Sequence, residues 1–198
     1  MTAEESWEKI WSAFEKSQWA QLLELCPRFE KEFPEHLYTR LLHVSALAGL
    51  KRFKEAEAML SELQVNPNAS VTFKYHCLVK GGEILEELGR FDEARKAYES
   101  AHHLCPNKMQ PLIYRGVVDL RTGNFEAARQ WLNRALSCPS GDREEAHLNI
   151  GNTYLAQQDY AKAIEHYQKA ITLDPDYDFA WEQRADATRA LEIRDQSK

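Results

Sequence analysis

The 198-residue sequence predicts an all-α protein made of consecutive antiparallel helix pairs. Two observations indicate this fold class. Columns of residues recur at spacings of 34 and 35, as in Gly82, Gly116 and Gly151. Within each copy, apolar residues fall at helical spacing in two stretches separated by a short polar turn. A fixed period of this size is typical of stacked helical hairpins, in which each hairpin packs against its neighbours.

Composition limits the possible partners and the compartment. The net charge is −6, whereas nucleic-acid-binding surfaces concentrate Lys and Arg on one face, so we expect no nucleic-acid partner. The start of the chain is acidic, unlike a secretory signal, and no apolar stretch approaches the roughly 20 residues of a membrane span, so we expect no membrane partner. The four cysteines form no CxxC pair. We therefore expect reduced thiols and a cytoplasmic protein.

The first two repeats, residues 4–36 and 37–70, show the pattern in a weaker form. Four positions of the first helix recur 34 residues later, pairing Trp7 with Leu41, Ile10 with Val44, Trp11 with Ser45 and Phe14 with Ala48. In this alignment Trp11 occupies a position that favours a small residue, and Pro27 falls inside the second helix, so we expect a distorted first hairpin. The columns also predict a shortened internal turn in both repeats.

The later repeats are regular. An enlarged connection around residues 66–70 precedes repeats at residues 75–108, 109–143 and 144–177. In the last of these, Gly151 and Ala163 are small where two helix backbones approach, and Tyr154 and Tyr167 fill the space beside them. One further first-helix pattern follows, and we expect residues 178–194 to form a helix that caps the array.

The copy at residues 144–177 resembles a tetratricopeptide repeat. The pattern W-x2-L-G-x2-Y…A-x3-F…P is met by Ile150, Gly151, Tyr154, Ala163, Tyr167 and Pro175, with His147 in place of the leading Trp. The resemblance extends over nearly the whole chain, as one domain of five repeats and a C-terminal capping helix. It implies a right-handed superhelical solenoid of helix pairs. It also implies a non-enzymatic adaptor or chaperone-like scaffold that binds other proteins.

In this family the first helix of each pair lines a concave groove that holds a peptide or helix of the partner. Carrying the family's partner-facing positions over to this chain predicts an apolar stripe bordered by polar groups. The predicted groove residues are Val79, Lys80, Glu83, Ile113, Tyr114, Val117, Arg121, Leu148, Asn149, Asn152 and Gln183. The two asparagines suit the backbone of an extended peptide, whereas a helical ligand could lay its apolar face on the stripe. Alternatively, the apolar members contact the neighbouring repeat.

Other functions find less support in the residues. Chaperone-binding members of the family hold a terminal carboxylate with Lys, Asn and Arg at these positions, and no register of this sequence assembles that set. We expect no enzyme, cofactor or metal site, because catalytic spacings and phosphate loops are missing and the cluster His102, His103 and Cys105 lacks further ligands. The alternative function is a structural subunit that self-associates through the aromatic N-terminal hairpin, which contains Trp7, Trp11 and Trp19.

Overall fold

The computed structural model describes residues 2–197, which form eleven α-helices and no β-strand. In chain order they are α1 (Ala3–Glu15), α2 (Trp19–Glu32), α3 (Leu37–Gly49), α4 (Phe53–Gln64), α5 (Val71–Glu87), α6 (Phe91–Leu104), α7 (Gln110–Arg121), α8 (Phe125–Leu136), α9 (Arg143–Ala156), α10 (Tyr160–Leu173) and α11 (Asp178–Gln196). The predicted all-α fold class is confirmed. None of the described helices combines the length and the hydropathy that crossing a membrane requires.

The helices divide into two compact units, the first ending at Leu104 and the second beginning at Cys105. In unit 1, α1 packs on α2, α3 on α4 and α5 on α6, and α3 also contacts the first helices on either side, α1 and α5. In unit 2, α7 packs on α8, α9 on α10 and α11 on α10, and the first helices α7 and α9 touch. Each unit is therefore a run of helix pairs with its first helices side by side. The single domain predicted over residues 1–198 stays a prediction.

The five turns inside the helix pairs are built alike. Each turn has three residues, and its middle residue has a left-handed backbone with positive φ. The five φ angles are 53° at Ser17, 60° at Lys51, 71° at Gly89, 78° at Gly123 and 61° at Gln158. The following N–H donates to the carbonyl five residues earlier, as from Arg90 to Leu85 at 2.8 Å. This is the Schellman arrangement, which satisfies carbonyls at the end of a helix.

The common turn corrects two expectations about the first repeats. The predicted shortening is wrong, because residues 16–18 and 50–52 form turns as long as the later ones. In each of the last three repeats, a glycine lies seven residues before the left-handed turn residue. In the first two repeats, Ile10 and Val44 occupy that position. Ile10 is 1% and Val44 0% exposed. The assignment of Trp11 to the small-residue position is therefore wrong by one residue.

Paired helices keep close contact by exchanging large and small residues. In the third pair, a Cβ atom on Gly82 of α5 would overlap the ring of Tyr98 on α6. In the first pair the sizes are reversed. The larger Ile10 lies on α1, while Cys26 on α2 stands at the position of Tyr98, and the two residues share one core cluster. One large side chain fills the contact in both cases, as close packing requires.

The start of α5 differs from the predicted start of the third repeat at residue 75. The helix has 17 residues and begins at Val71. The Ser70 hydroxyl accepts a hydrogen bond from the backbone N–H of Phe73 at 3.1 Å, which caps the helix. The additional turn brings Phe73 into the core at 2% exposure, with the ring of Tyr38 from α3 at 5.1 Å in an edge-on arrangement. Residues 71–74, which precede the predicted start of the repeat, are thus the first turn of α5, and the connection around residues 66–70 is not helical.

The first helix pair is regular both at the start of α1 and at Pro27 in α2. Thr2 and Glu5 form a reciprocal capping box at the start of α1, with hydrogen bonds of 3.2 Å and 2.8 Å. The second helix, α2, is continuous through Pro27, which is exposed. Proline cannot donate to the carbonyl four residues earlier, but on an exposed side water can take the place of the missing donor.

A leucine at position 116 tests the close approach of α7 and α8. A Cβ atom there would lie 2.7 Å from Leu132 Cγ and 3.2 Å from the carbonyl oxygen of Ala128. We expect Gly116→Leu to lower the free energy of unfolding by about 1–3 kcal/mol or more through overpacking. Urea unfolding followed by circular dichroism measures it, with Ala161→Leu on an exposed site of α10 as the control. Equal stability of the two variants would contradict the close approach.

Candidate functional site: the first-helix faces

The first-helix face of a unit consists of the residues that its first helices present away from their second helices. In unit 2 this face includes α7 and α9, which are in contact. The first helix α11 joins them through the core, because Leu148 of α9 lies in one cluster with Ala180 and Ala187 of α11. In unit 1 the corresponding face belongs to α1, α3 and α5.

Three apolar residues of the predicted groove lie in the cores of the units. Ile113 is 0% exposed, Leu148 is 4% exposed and Val79 is 7% exposed. Ile113 packs in the cluster of α7, α8 and α9, and Leu148 packs in the cluster of α9, α10 and α11. These side chains therefore stabilise the units and offer little surface to a partner.

The accessible part of the predicted groove in unit 2 centres on α7. Tyr114 and Val117 are half-buried and pack on the core with one side, while Arg121 is exposed. The Tyr114 hydroxyl accepts a hydrogen bond from Gln110 Nε2 at 2.9 Å. On α11, Gln183 is half-buried as well. This face therefore combines an aromatic ring, an aliphatic side chain and a guanidinium within reach of solvent.

The two asparagines on α9 each use one side-chain group inside the unit. Asn149 is 9% exposed, and its Nδ2 donates to the carbonyl oxygen of Glu145 at 2.9 Å. Asn152 is half-buried, and its Oδ1 accepts from the hydroxyl of Tyr167 at 2.8 Å. The other group of each amide, Nδ2 of Asn152 and Oδ1 of Asn149, is therefore the better placed to bind a ligand.

In unit 1 the predicted residues Lys80 and Glu83 form an ion pair on α5, with side chains 25% and 38% exposed. The register set by the turns adds a residue that sequence reasoning missed. Trp11 lies six residues before its left-handed position, as Glu83 does, and is 45% exposed. Its Nε1 donates to Glu15 Oε1 at 2.8 Å. The left-handed turn residue would have given the correct register. Ser17 does not reveal it in the sequence, because serine is not a residue type that marks a left-handed position.

Two titratable side chains inside the pairs, His166 and Cys26, are neutral near neutral pH. Nδ1 of His147 on α9 lies 3.3 Å from Nδ1 of His166 on α10. Burial, with repulsion from Lys169 and His147, lowers the pKa of His166 to about 4. Burial raises the pKa of the Cys26 thiol to about 12, with a contribution from Glu30. Within residues 2–197, no three or more His, Cys, Asp or Glu side chains are grouped to hold a metal ion.

Comparison with known proteins agrees with this geometry. Tetratricopeptide repeat models match residues 80–143 and residues 144–177, two adjoining segments. The chain belongs to the tetratricopeptide repeat family. Among curated relatives, this tetratricopeptide repeat protein is 28% identical over 112 residues to cell division cycle protein 27 homolog A of Arabidopsis thaliana. That match covers 57% of the chain but only 15% of the relative.

Solved structures show the same fold. In the APC/C hetero-tetramer Cut9-Hcn1, the matching chain is 20% identical with a TM-score of 0.72, over 94% of this tetratricopeptide repeat protein and 36% of the other chain. BtubC from P. vanneervenii is 14% identical with a TM-score of 0.71, over 91% and 85%. The first tetratricopeptide repeat domain of Spaghetti (RPAP3), bound to the HSP90 peptide SRMEEVD, is 22% identical with a TM-score of 0.54, over 60% and 94%.

The histidine pair predicts a pH dependence of stability. Because the pKa of His166 is about 4 in the folded protein and about 6.5 in an unfolded chain, its contribution is complete above pH 6.5 and is lost as pH falls towards 4. We expect His166→Gln to remove about 1–2 kcal/mol of this pH-dependent loss, after discounting for partial exposure. Urea unfolding at a series of pH values measures it.

The control for this measurement is His103→Gln, at an exposed position of α6. Its pH dependence should match that of the wild type. An unchanged pH dependence in His166→Gln would contradict the assignment of the loss to the buried pair.

Proposed function

We propose that this protein is a non-enzymatic adaptor that binds a peptide or helix of another protein on the first-helix face of unit 2. Tetratricopeptide repeat proteins generally mediate protein–protein interaction. The observation that carries the proposal is a set of accessible side chains on α7, namely Tyr114, Val117 and Arg121. The helix α9 contacts α7 and adds the half-buried Asn152 to the same face. Tyr and Arg are enriched among residues that dominate binding energy.

The chemistry of this face suits a partly apolar ligand. Val117 and the ring of Tyr114 can cover an apolar side chain of the partner, and the Nδ2 of Asn152 can donate to a backbone carbonyl. The predicted residues Asn149 and Gln183 border the same face, with Gln183 half-buried. A helix would use mainly the apolar contacts, and an extended peptide would also use the amide.

The proposal concerns a partner other than an acidic peptide terminus. The Spaghetti domain is bound to an HSP90 peptide with the sequence SRMEEVD, which is acidic. In the register that starts at the third repeat, the positions where chaperone-binding members place Lys, Asn, Asn, Lys and Arg are occupied by Val79, Glu83, Tyr114, Glu145 and Asn149. A chaperone-like role would therefore need a different recognition chemistry.

We also propose a cytoplasmic location. All four cysteines are free thiols, and burial raises the pKa of Cys77 to about 12. Cysteines that remain reduced are characteristic of proteins in reducing compartments.

Self-association through the N-terminal hairpin is the second candidate, and the exposure of Trp11 favours it. An indole 45% exposed is apolar surface that a second copy could cover. Light scattering over a range of protein concentrations decides between the candidates. A monomer at every concentration would contradict self-association.

Replacing Tyr114 and Arg121 together tests the proposed binding face. Affinity capture from the native cell identifies the partner, and calorimetry with the purified partner measures binding. We expect Tyr114→Ala/Arg121→Ala to weaken binding about tenfold or more, since such residues each contribute on the order of 1 kcal/mol or more at interfaces. The melting temperature should change little, because Arg121 is exposed and Tyr114 packs on the core with one side only.

The matched control is Gln130→Ala/Asn133→Ala, two exposed positions on the second helix α8. It should bind the partner as the wild type does. Unchanged affinity in the Tyr114→Ala/Arg121→Ala variant would rule out this face as the binding site.

A further inference from the structure

The first helix of unit 1 has an exposed aromatic face bordered by carboxylates. Trp11 is its most exposed aromatic residue, at 45%. The ring centroids of Trp7 and Phe14 lie 6.1 Å and 5.6 Å from that of Trp11. The residues within about 60° of Trp11 around the helix axis follow from the helical repeat of 3.6 residues per turn. They are Glu4, Trp7, Glu8, Phe14 and Glu15, and we call this set with Trp11 the α1 face.

The α1 face is a first-helix face in the same sense as the proposed site in unit 2. Counted from the left-handed turn residue, Trp11 stands at the position of Val117 and Asn152. The neighbouring first helix α3, which touches α1, adds Tyr38 at the position of Glu4, and Tyr38 is 41% exposed. The ring of Tyr38 contacts Phe73 and His76 of α5, so its exposed aromatic surface lies between α3 and α5.

The charge on this part of unit 1 is negative. Glu4, Glu8 and Glu15 are exposed on the α1 face. Farther along, on α5, Lys80 is paired with Glu83, so it adds no net positive charge. The basic residue Lys9 lies two residues from Trp11 and therefore about 200° around the helix, on another side. The α1 face itself contains three carboxylates and no Lys or Arg, and at its edge Lys9 lines a surface concavity with Glu8.

The position of the indole is suited to a cationic ligand. The hydrogen bond from Trp11 Nε1 to Glu15 Oε1, at 2.8 Å, holds the ring beside a carboxylate. The faces of indole rings attract ammonium and guanidinium groups, and carboxylates form charge-assisted hydrogen bonds with them. Glu8, three residues before Trp11, and Glu15, four residues after it, are its neighbours on the helix surface.

We propose that the α1 face binds a cationic segment of a partner protein, with an Arg or Lys side chain over Trp11 and in contact with Glu8 and Glu15. This inference rests on the proposed function, protein binding by first-helix faces, and adds the chemistry of the ligand at unit 1. Arg fits better than Lys, because its planar guanidinium can stack on the indole and donate to a carboxylate at once. Apolar residues of the same segment cover Phe14, whose ring lies beside that of Trp11.

The test uses two blocked, fluorescently labelled peptides, one of alternating Arg and Leu and one with Glu in place of every Arg. Fluorescence anisotropy with the full chain measures their affinities. We expect the Arg peptide to bind about tenfold or more tightly than the Glu peptide. We also expect its affinity to fall when salt is raised from about 50 mM to about 300 mM, because salt screens exposed charges.

Two variants of the α1 face should weaken binding of the Arg peptide. Trp11→Ala removes the ring, and Glu8→Gln/Glu15→Gln removes two charges while retaining side-chain size. We expect a loss of about fivefold or more in each case, and Trp11→Phe should retain most of the affinity. The matched control Glu24→Gln/Glu32→Gln removes two exposed charges from the second helix α2 and should leave binding unchanged. Circular dichroism melts confirm that each variant is folded.

The proposal is overturned if the two peptides bind equally, if the α1 variants bind as the wild type does, or if the α2 control Glu24→Gln/Glu32→Gln weakens binding as much. It is also overturned if light scattering shows self-association that Trp11→Ala abolishes, because a second copy of the chain then covers the α1 face. Failure here is distinct from failure of the proposed function. Tyr114→Ala/Arg121→Ala changes unit 2 alone, so loss of the natural partner in that variant supports the proposed function whether or not the Arg peptide binds.

Discussion

The three-residue turn inside each helix pair is the constraint on which the rest of the structure depends. Its left-handed middle residue and the following hydrogen bond, such as that from Arg90 to Leu85, end one helix and start the next at a fixed offset. The offset determines which first-helix residue faces the second helix. The contact is then filled by one large side chain, either Tyr98 opposite Gly82 or Ile10 opposite Cys26. The remaining side chains of the first helix then point towards neighbouring pairs or towards solvent.

Most of the fold could be predicted from the sequence, because the 34-residue period is the distance along the chain between equivalent packing contacts. Small residues such as Gly116 recur where backbones approach, and the spacing of these contacts is the spacing of the pairs. The first two repeats were harder, because Ile10 and Val44 stand where the later repeats have the glycine that marks the contact. Without a small residue at position 10 to mark the contact, the alignment moved to Trp11. Backbone dihedral angles at Ser17 and Lys51 resolve it, and these are not visible in residue types alone.

The candidate site could be predicted only in part, because family positions do not specify burial. Tyr114 and Arg121 are accessible as the pattern predicts, whereas Ile113 is completely buried one residue away from Tyr114. Exposure depends on the angle at which a neighbouring helix packs, which changes with the side chains at the contact. Trp11 was missed for the same reason that the first register was wrong. A fold-level resemblance therefore locates the face but not the residues that a partner touches.

The left-handed turn residues also divide the helix pairs by local stability. Glycine adopts this conformation without strain, and it occupies two of the turns, at Gly89 and Gly123. Ser17, Lys51 and Gln158 hold it at a cost of about 1 kcal/mol each, because their Cβ atoms crowd the backbone. Local opening should therefore be easiest in the first, second and fifth pairs, and amide protons there should exchange sooner than in the third and fourth. The α1 helix thus belongs to one of the three pairs whose turn has a strained residue.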